Sequence, residues 1–551
     1  MLGQENNSVA KHVIDRFEEL DQYRTVRADE LDLIAKLYRP QRQGFRGSNR
    51  DQWNLHKQFN STGLTAAKNA SASIYSTICN PANRWMVASS GDDELDKFDS
   101  VATWLEIVTK RMLMSFGNSM SNFYPSAVTV AGDCSALGTS IMVSDEWPNG
   151  RKRFIDTCVS PADCVIGVDA AGEVDELIVE HRLTAVQAAR RYGYETLPEK
   201  LQERASSNNH TEKTVFYQAI QPNDDYTPGR IGAKGKPFVS THVSVEGKTV
   251  VKQGGMSEQN FGVARWSAEG DNPWGRGLGY LTLASALKLQ SQERDNLQAG
   301  ALAARPPIAT TGSKAMRQAA QLQPGHFLHG GITPNGQPAA KPIFTHQGLP
   351  VTLDMVRATK EEVENGWHAQ LLMLVGRTGL GNLEVIEQME ERYRLQAPYM
   401  GRMQSEWMTP IADRRFSMMF RAGQIPPPPE ELKGRPLIMK YTGVSQLAQR
   451  SQEGVAVSRL LEDVYKLAQY HPRPEEVWDN IDSDGAIDVL AEARGVPRRA
   501  ITSDDKRDKV RADRAEQQEA AAAMEQAAAG ASVAKDMAGA APLLDQLGAM
   551  Q

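Results

Sequence analysis

Residues 275–298 read GRGLGYLTLASALKLQSQERDNLQ; past Tyr280 the stretch has no proline and few β-branched residues, so it predicts a helix. Its apolar positions stop at Leu289, and the next seven residues are all polar. A helix with a core-facing stripe over only half its length cannot complete its packing inside an ordinary monomer core. The tail ALAARPPI, 301–308, ends it at Pro306 and Pro307, since proline lacks an N–H and restricts the residue before it. Beyond lies an insert, 304–351, with 7 Pro and 6 Gly, and then a second long helix expected from Thr352 to about Val375. Two long helices therefore flank a loop-rich knob, an insert of a size and irregularity rarely free of function, the alternative being a tolerated surface loop.

The rest of the chain reads as α+β and mainly helical. Val13, Ile14, Phe17, Leu20, Leu31, Ile34 and Leu37 recur at helical spacing behind Ser8, which is placed to cap, and helices are also expected at 63–80 and 98–120. Between 125 and 183 the period shortens to β-type runs, SAVTVAGD, TSIMVSD, KRFIDT, CVIGVD and EVDELIVEHRL, which predict a mainly antiparallel sheet. Thr184 should cap a short helix closed by Gly193, with strands following at 213–220, 237–245 and 260–266. After the glycine-rich GRTGLGNLE, 376–384, a long helix is expected from about Val385 to Ala422, interrupted near Pro398 and Pro410. PLIMKYTG reads as a strand, helices follow at 444–470 and 474–494, and residues 498–551 hold 16 Ala among mixed charges, a helix with little core of its own.

Length and composition bound the function. A chain of 551 residues has a prior of roughly three to five domains. Its formal net charge of −6 does not favour binding nucleic acid through a broad basic surface, although a wall that merely lets DNA pass is allowed. The N-terminus MLGQENNSVAKHV has no apolar signal region, and no uncharged apolar run of about 18 residues occurs, so synthesis in the cytosol and no membrane span are expected. Cys79, Cys134, Cys158 and Cys164 lack any C-x-x-C spacing and read as reduced, semi-buried thiols.

Enzyme and cofactor signatures fail individually. Gly247-Lys248-Thr249 imitates the end of a phosphate-binding loop, but His242 stands where the loop needs glycine. Asn480-x-Asp482-x-Asp484-Gly485 opens like a calcium loop, yet its twelfth position is Ala491, which supplies no carboxylate, so a helix cap or turn is expected. The ten histidines show no H-x-x-x-H pair, His326 and His329 have no carboxylates nearby, and no G-x-S-x-G surrounds any serine. Asp92-Asp93, Glu361-Glu362 and Glu390-Glu391 read as solvated faces. No catalytic, metal or cofactor site is expected.

Five stretches in one order carry a resemblance: NRWMVASS (83–90), SNFYPSAVTVAGDCSALGTSIMV (121–143), SPADCVIGVDAAGEVDELIVEHRLTAVQAARRYG (160–193), NPWGRGLG (272–279) and YRLQAPYMGRMQSEWMTPIADRRFSMMFRAGQIPPPPEEL (393–432). Together they resemble the portal, or head-to-tail connector, proteins of short-tailed bacteriophages, over about residues 10 to 500. Where the family usually reads Met-Thr-Ala-Thr-Glu-Val ahead of its long helix, this chain has Gly381-Asn-Leu-Glu384-Val385 and keeps only Glu-Val.

The resemblance implies a portal-type subunit with wing, stem, clip and crown, twelve to a ring at one capsid vertex of the virion. It implies a wing at 1–278, stem helices at 279–303 and 352–375, a clip at 304–351, and a tunnel loop at 376–388. A return wing helix at 389–430, a crown at 431–497 and a C-terminal barrel or flexible tail at 498–551 complete it. Gly376, Arg377, Gly379, Leu380, Gly381 and Glu384 would line the DNA channel, and Arg305, Lys314, Arg317 and Lys341 would dock partners on the clip. The implied partners are further copies of the chain, double-stranded DNA in transit, the packaging ATPase (terminase), tail adaptors, and scaffolding and major capsid proteins. In such a ring Leu278, Leu281, Leu283 and Leu287 would meet neighbours, while Gln290, Gln292, Glu293, Arg294 and Asp295 would face the lumen or adjacent subunits. The alternative is another capsid-associated structural protein, a tail adaptor or internal core protein.

Overall fold

The computed structural model describes residues 2–45, 58–146, 153–304, 349–368, 398–493 and 506–521, apart from short internal gaps, together with 308–310, 335–337 and 340–342. Two compact units divide the chain: one of residues 1–91, 105–428 and 434–445, the other of 92–104, 429–433 and 446–551.

The first unit is built on a five-stranded antiparallel sheet, β4 (Cys164–Val168), β5 (Val174–Thr184), β6 (Lys213–Pro222), β7 (Phe238–Ser244) and β8 (Thr249–Met256), hydrogen-bonded in that order. Successive side chains of a strand point to opposite faces, so one sheet can be covered twice. On one face Val165, Ile178, Ala219 and Val243 receive Ala10, Val13, Phe17 and Leu20 of helix α1 (Leu2–Thr25), each larger side chain contributing about 1.5–3 kcal/mol by its burial. On the other, Cys164, Ile166, Leu177, Val179 and Ile220 meet Ile141, Val143, Phe261 and Val263 of a three-stranded sheet. That sheet is ordered β3 (Phe154–Val159), β2 (Thr139–Glu146), β9 (Phe261–Arg265), and a separate antiparallel ladder joins β1 (Met86–Ser89) to Ile438–Tyr441. Further along the same face, Phe216 and Val251 pack on helices α6 (Ala185–Tyr192) and α7 (Glu199–Ser206).

Local signals explain several boundaries. Thr184 caps α6 through a reciprocal pair, Gln187 N–H donating to its hydroxyl (3.3 Å) and its own N–H donating to Gln187 Oε1 (3.0 Å), and Gly193 closes the helix. Ser8 lies inside α1 rather than capping it, because the helix already begins at Leu2. Helices α2 (Ala28–Tyr38), α3 (Thr62–Ile78) and α4 (Asp99–Phe116) agree with the apolar periodicity. Gly247-Lys248-Thr249 is the turn from β7 into β8, with Lys248 at φ 48°, a hairpin and not a phosphate loop. In the second unit, helices span Val444–Tyr470, Pro474–Trp478 and Ser483–Ala493. Asp482 Oδ1 accepts from Asp484 N–H and Gly485 N–H at 3.1 Å each, so the calcium-like segment is a helix cap.

Two further expectations are corrected. SAVTVAGD is not a strand: it lies in helix α5 (Phe123–Leu137), closed by Gly138 at φ 90°. Ala127, Val130, Ala131 and Cys134 are all buried at helical spacing. This small-residue face packs on α3, where Ser71 Oγ donates to Val128 O at 3.2 Å, and tertiary contact overrides β propensity. Nor does Pro410 interrupt its helix. A π-helical turn, Gln404–Met408, runs straight into Thr409–Arg421, and Thr409 Oγ1 donates to Gln404 O at 2.9 Å. β9 lies against this turn so closely that a Cβ on Gly262 would sit 2.4 Å from Trp407 O.

Helix Thr409–Arg421 is bound to β3 of the three-stranded sheet by a fully buried ion pair. Arg415 Nη2 donates to Asp156 Oδ1 and Oδ2 (2.9 and 2.7 Å), and its Nη1 donates to Ser115 O (2.9 Å). Its guanidinium lies between the rings of Phe116 and Phe154, 4.5 and 4.1 Å from their centroids. Ser121 Oγ donates to Asp156 Oδ2 at 2.5 Å, completing the carboxylate's partners.

Candidate functional site

Long helices lie before and after the 304–351 insert, and at their roots backbone runs against backbone. NPWGRGLG enters them along the C-terminal end of α5. Gly275 N–H donates to Thr139 Oγ1 (2.8 Å), and Arg27 Nη1 donates to Gly275 O (3.1 Å). A Cβ on Gly277 would lie 2.5 Å from Ser135 O, and one on Gly279 would lie 2.4 Å from Ala136 O. Alternate glycines are required here because backbone runs against backbone.

Helix α8 (Leu278–Leu281) follows, breaks at Thr282, and resumes as α9 (Leu283–Ala304); the partner helix α10 spans Leu349–Gly366. Thr282 Oγ1 donates to Leu278 O (2.9 Å), and the Tyr38 hydroxyl lies 2.7 Å from that Oγ1 and donates to Thr282 O (3.2 Å). Burial pushes the Tyr38 phenol up, partly offset by its bond to Thr282. Trp367 is fully buried against Tyr38, ring centroids 4.9 Å apart, and a Cβ on Gly366 would meet Thr282 Cγ2 at 2.3 Å. The second helix thus closes at Gly366, before a turn in which His368 has φ 52°, and the 369–375 part of its expected length lies outside the described residues.

Ala286 and Leu289 of α9 and Val356, Thr359 and Val363 of α10 are buried along the pair. Polar residues continue the seam. Ser285 Oγ donates to Glu362 Oε1 (2.7 Å), and Lys360 pairs with Glu293 (2.9 Å). Gln290 grips the main chain of residues 59–60: its Oε1 accepts from Phe59 N–H (2.8 Å) and Asn60 N–H (3.2 Å), and its Nε2 donates to Asn60 O (2.6 Å). Asn60 Nδ2 donates to Glu293 Oε1 at 2.7 Å. Against burial, which acts upward, the Lys360 and Asn60 bonds hold the Glu293 carboxyl below its ordinary range.

The expected division of α9 into an apolar half for neighbours and a polar half for the lumen is therefore redrawn. Gln290 and Glu293 have their partners within the chain, and Leu278 is buried in the chain's own core. Left outward are Leu281 (69 % exposed), Leu287 (41 %), Leu297 (60 %) and Leu302 (51 %), with Leu353 (57 %) and Met355 (53 %) on α10. Arg294 and Asp295 are exposed and pair with each other at 3.2 Å.

Of the four residues expected to dock partners, Lys341 stands in a short two-stranded ladder, β10 (Ile308–Thr310) with β11 (Ala340–Pro342), opposite Ala309. Arg305, Lys314 and Arg317 lie outside the described residues, as do Gly376, Arg377, Gly379, Leu380, Gly381 and Glu384. Among the described residues no group of three or more His, Cys, Asp or Glu is placed to hold a metal ion, and no helix is long and apolar enough to cross a membrane. Cys79, Cys134, Cys158 and Cys164 are free thiols; burial pushes Cys158 and Cys164 up to about 12, so they stay protonated at neutral pH.

A family model described as bacteriophage head to tail connecting protein matches residues 10–502. The chain belongs to that head-to-tail connecting family. This connector is 27% identical over 486 residues to the portal protein of Salmonella phage epsilon15, covering 86% of this chain and 85% of that one. It is 24% identical over 479 residues to a "Probable portal protein" of Bordetella phage BPP-1, again with 86% and 85% covered. The resemblance to phage portal proteins is thereby borne out. A solved structure titled as the virion of a native gene transfer agent particle aligns with 75% of the connector and 91% of that chain, at 11% identity and TM-score 0.37, too low to bear on its fold.

Sequence reading missed Tyr38, Asn60, Gly366 and Trp367 as parts of the helix-pair anchor. Each lies far along the chain from its partner, Tyr38 and Thr282 being separated by 244 positions, and no periodicity reports such a distance. The glycines of NPWGRGLG were the one local signal available.

Proposed function

We propose that this connector forms the portal ring at one capsid vertex, twelve subunits around a channel for genome packaging and ejection, and acts as a structural conduit without catalysis. The supporting observation is the division of the helix pair: its polar side chains Gln290, Glu293 and Lys360 are satisfied within the chain, while Leu281, Leu297, Leu302, Leu353 and Met355 are left in water. A ring covers such a surface with a different surface of the next copy of the same chain, through a heterologous contact that closes. In this assignment 1–278 is the wing, 279–303 and 352–375 the stem, 304–351 the clip, 376–388 the tunnel loop, 389–430 the return helix, 431–497 the crown and 498–551 a barrel or tail. Arg377, between Gly376 and Gly379 and followed by Leu380, Gly381 and Glu384, offers one breakable phosphate contact per subunit to sliding DNA. The charge of −6 per chain fits a wall that does not hold the duplex by counterion release.

Native mass spectrometry and negative-stain micrographs of the purified chain test the ring. Twelve-fold particles with a central hole are expected, with some off-size rings in the absence of capsid. Replacing Leu281, Leu297 and Leu302 together by Glu should leave a folded monomer and no rings. Wild-type chain that stays monomeric or dimeric at micromolar concentration overturns the reading.

The clip is assigned as the docking point for the packaging ATPase and then the tail adaptor, through Arg305, Lys314, Arg317 and Lys341; scaffolding and major capsid proteins would meet the periphery. Deleting 312–340 is expected to preserve rings and yield empty or tailless heads, scored by electron microscopy and encapsidated DNA. Infectious particles at normal yield from that deletion would remove the assignment.

A further inference from the structure

Histidines that are far apart in sequence come together on the five-stranded sheet. His181 on β5, Gln218 on β6, and Ser240 and His242 on β7 share one face and form a polar strip across three strands, Gln218 standing directly opposite His242 in the ladder. The strip separates the apolar cluster around Leu177, Val179 and Ile220 from the one around Phe216, Val251 and α6. Gln218, Ser240 and His242 are each 9 % exposed or less, so every polar atom there must find a partner inside the protein.

The partners form one chain. His181 Nε2 donates to Gln218 Oε1 (2.9 Å), which also accepts from Arg191 Nη2 (3.3 Å). Gln218 Nε2 donates to Ser240 Oγ (3.4 Å), Ser240 Oγ lies 3.5 Å from His242 Nε2, and the Tyr192 hydroxyl lies 3.4 Å from His242 Nδ1. With Tyr192 donating, this Nδ1 is the acceptor of a neutral imidazole. Arg191 and Tyr192 are the last two residues of α6, so the strip is what the end of that helix rests on.

We propose that this strip is an acid-released latch holding the α6–α7 pair on the sheet. Protonating His242 removes the acceptor that faces the Tyr192 hydroxyl, and it places a charge in a buried site where the charges acting on it are all positive: Arg191 from α6, Lys252 from β8 and His181 from β5. Burial first, then those cations, push His242 down to about 3. His181 is also held down, by burial and then Arg191, against the opposing pull of its Gln218 bond, Asp145 from β2 and Glu180 on its own strand, so it adds to the response less than His242. Both folded pKa values lie below the ordinary 6.5, so the open form takes up the proton more readily. The latch is fully held above about pH 6.5, and its hold falls as pH drops towards 3, about ten-fold in the opening equilibrium per unit for one histidine.

Hydrogen–deuterium exchange of the full chain from pH 7.5 to 4.5, corrected for intrinsic exchange, reads this opening. Amides of 186–206 should lose protection about ten-fold per pH unit below about 6.5, while the buried helix α5 stays protected. His242→Gln, which keeps a neutral donor and acceptor, should flatten most of that slope. Tyr192→Phe should raise exchange of 186–206 several-fold at pH 7.5 and leave a slope. Protection of 186–206 unchanged across the range overturns the latch, as does an equal slope in His242→Gln or simultaneous loss of protection in α5. Should His242→Gln fail to fold, the wild-type comparison of 186–206 with α5 still decides.

Discussion

Replacing Asp156 by alanine is expected to destabilise the first unit by about 3–5 kcal/mol, the usual penalty for stranding one member of a buried ion pair. Asp156 and Arg415 are both fully buried, and the carboxylate is the only ion paired with this guanidinium at 2.7 Å among the described residues. Without it the guanidinium keeps the Ser115 carbonyl and two aromatic faces, which do not neutralise a charge in a site of low dielectric. Burial already holds Arg415 below its ordinary pKa, with Asp156 opposing that fall, so removal of the carboxylate works in one direction. Chemical denaturation followed by tryptophan fluorescence should show the loss as an earlier transition. The double replacement Asp156→Leu with Arg415→Met should recover most of it, since similar apolar volume costs no desolvation of charge. A single variant as stable as wild type would mean that helix Thr409–Arg421 is held by apolar packing alone.

The second large effect belongs to the root of the helix pair. Gly277→Ala and Gly279→Ala each place a methyl 2.4–2.5 Å from a backbone carbonyl oxygen of α5, far inside contact distance. Neither obstacle is a flexible side-chain tip, so α5 or the 272–279 segment must shift. A loss of about 3 kcal/mol, the upper end for overpacking, is expected for each, with low soluble yield and a lower melting temperature. Gly300→Ala is the control: nothing lies within 4 Å of its Cβ, and a glycine inside a helix should give back about 0.5–1 kcal/mol when replaced. Equal thermal stability of Gly279→Ala and Gly300→Ala would contradict the close approach.

Much of the local structure was legible. The long helices before and after the 304–351 insert, the capped helix at Thr184, the strands near 213, 238 and 261, and the cap at Asp482 follow from periodicity, caps and spacing, which are properties of neighbours in sequence. Helix α5 was misread because its valines, threonine and alanines suit a strand locally, and only the small-residue face of α3 makes a helix the better use of them. Strand β8 went unnoticed because Gly254 and Gly255 break its alternation and its ladder to β7 supplies the order instead.

The family, too, was in the sequence, because five motifs in fixed order are linear information. What the polar half of α9 is for was not. Its residues read as lumen-facing, yet Gln290 closes on the main chain of 59–60, and Glu293 on Asn60 and Lys360. Sequence fixes which side chains are polar and how they space along a helix. Whether such a side chain meets water, a neighbour or its own chain depends on which distant segment the fold lays beside it, and a hydrogen bond across 230 positions leaves no periodic trace. The same holds for Arg415 with Asp156 and for His181 with His242: composition supplied the charges and imidazoles, and only the packing of separate strands and helices removed water from around them.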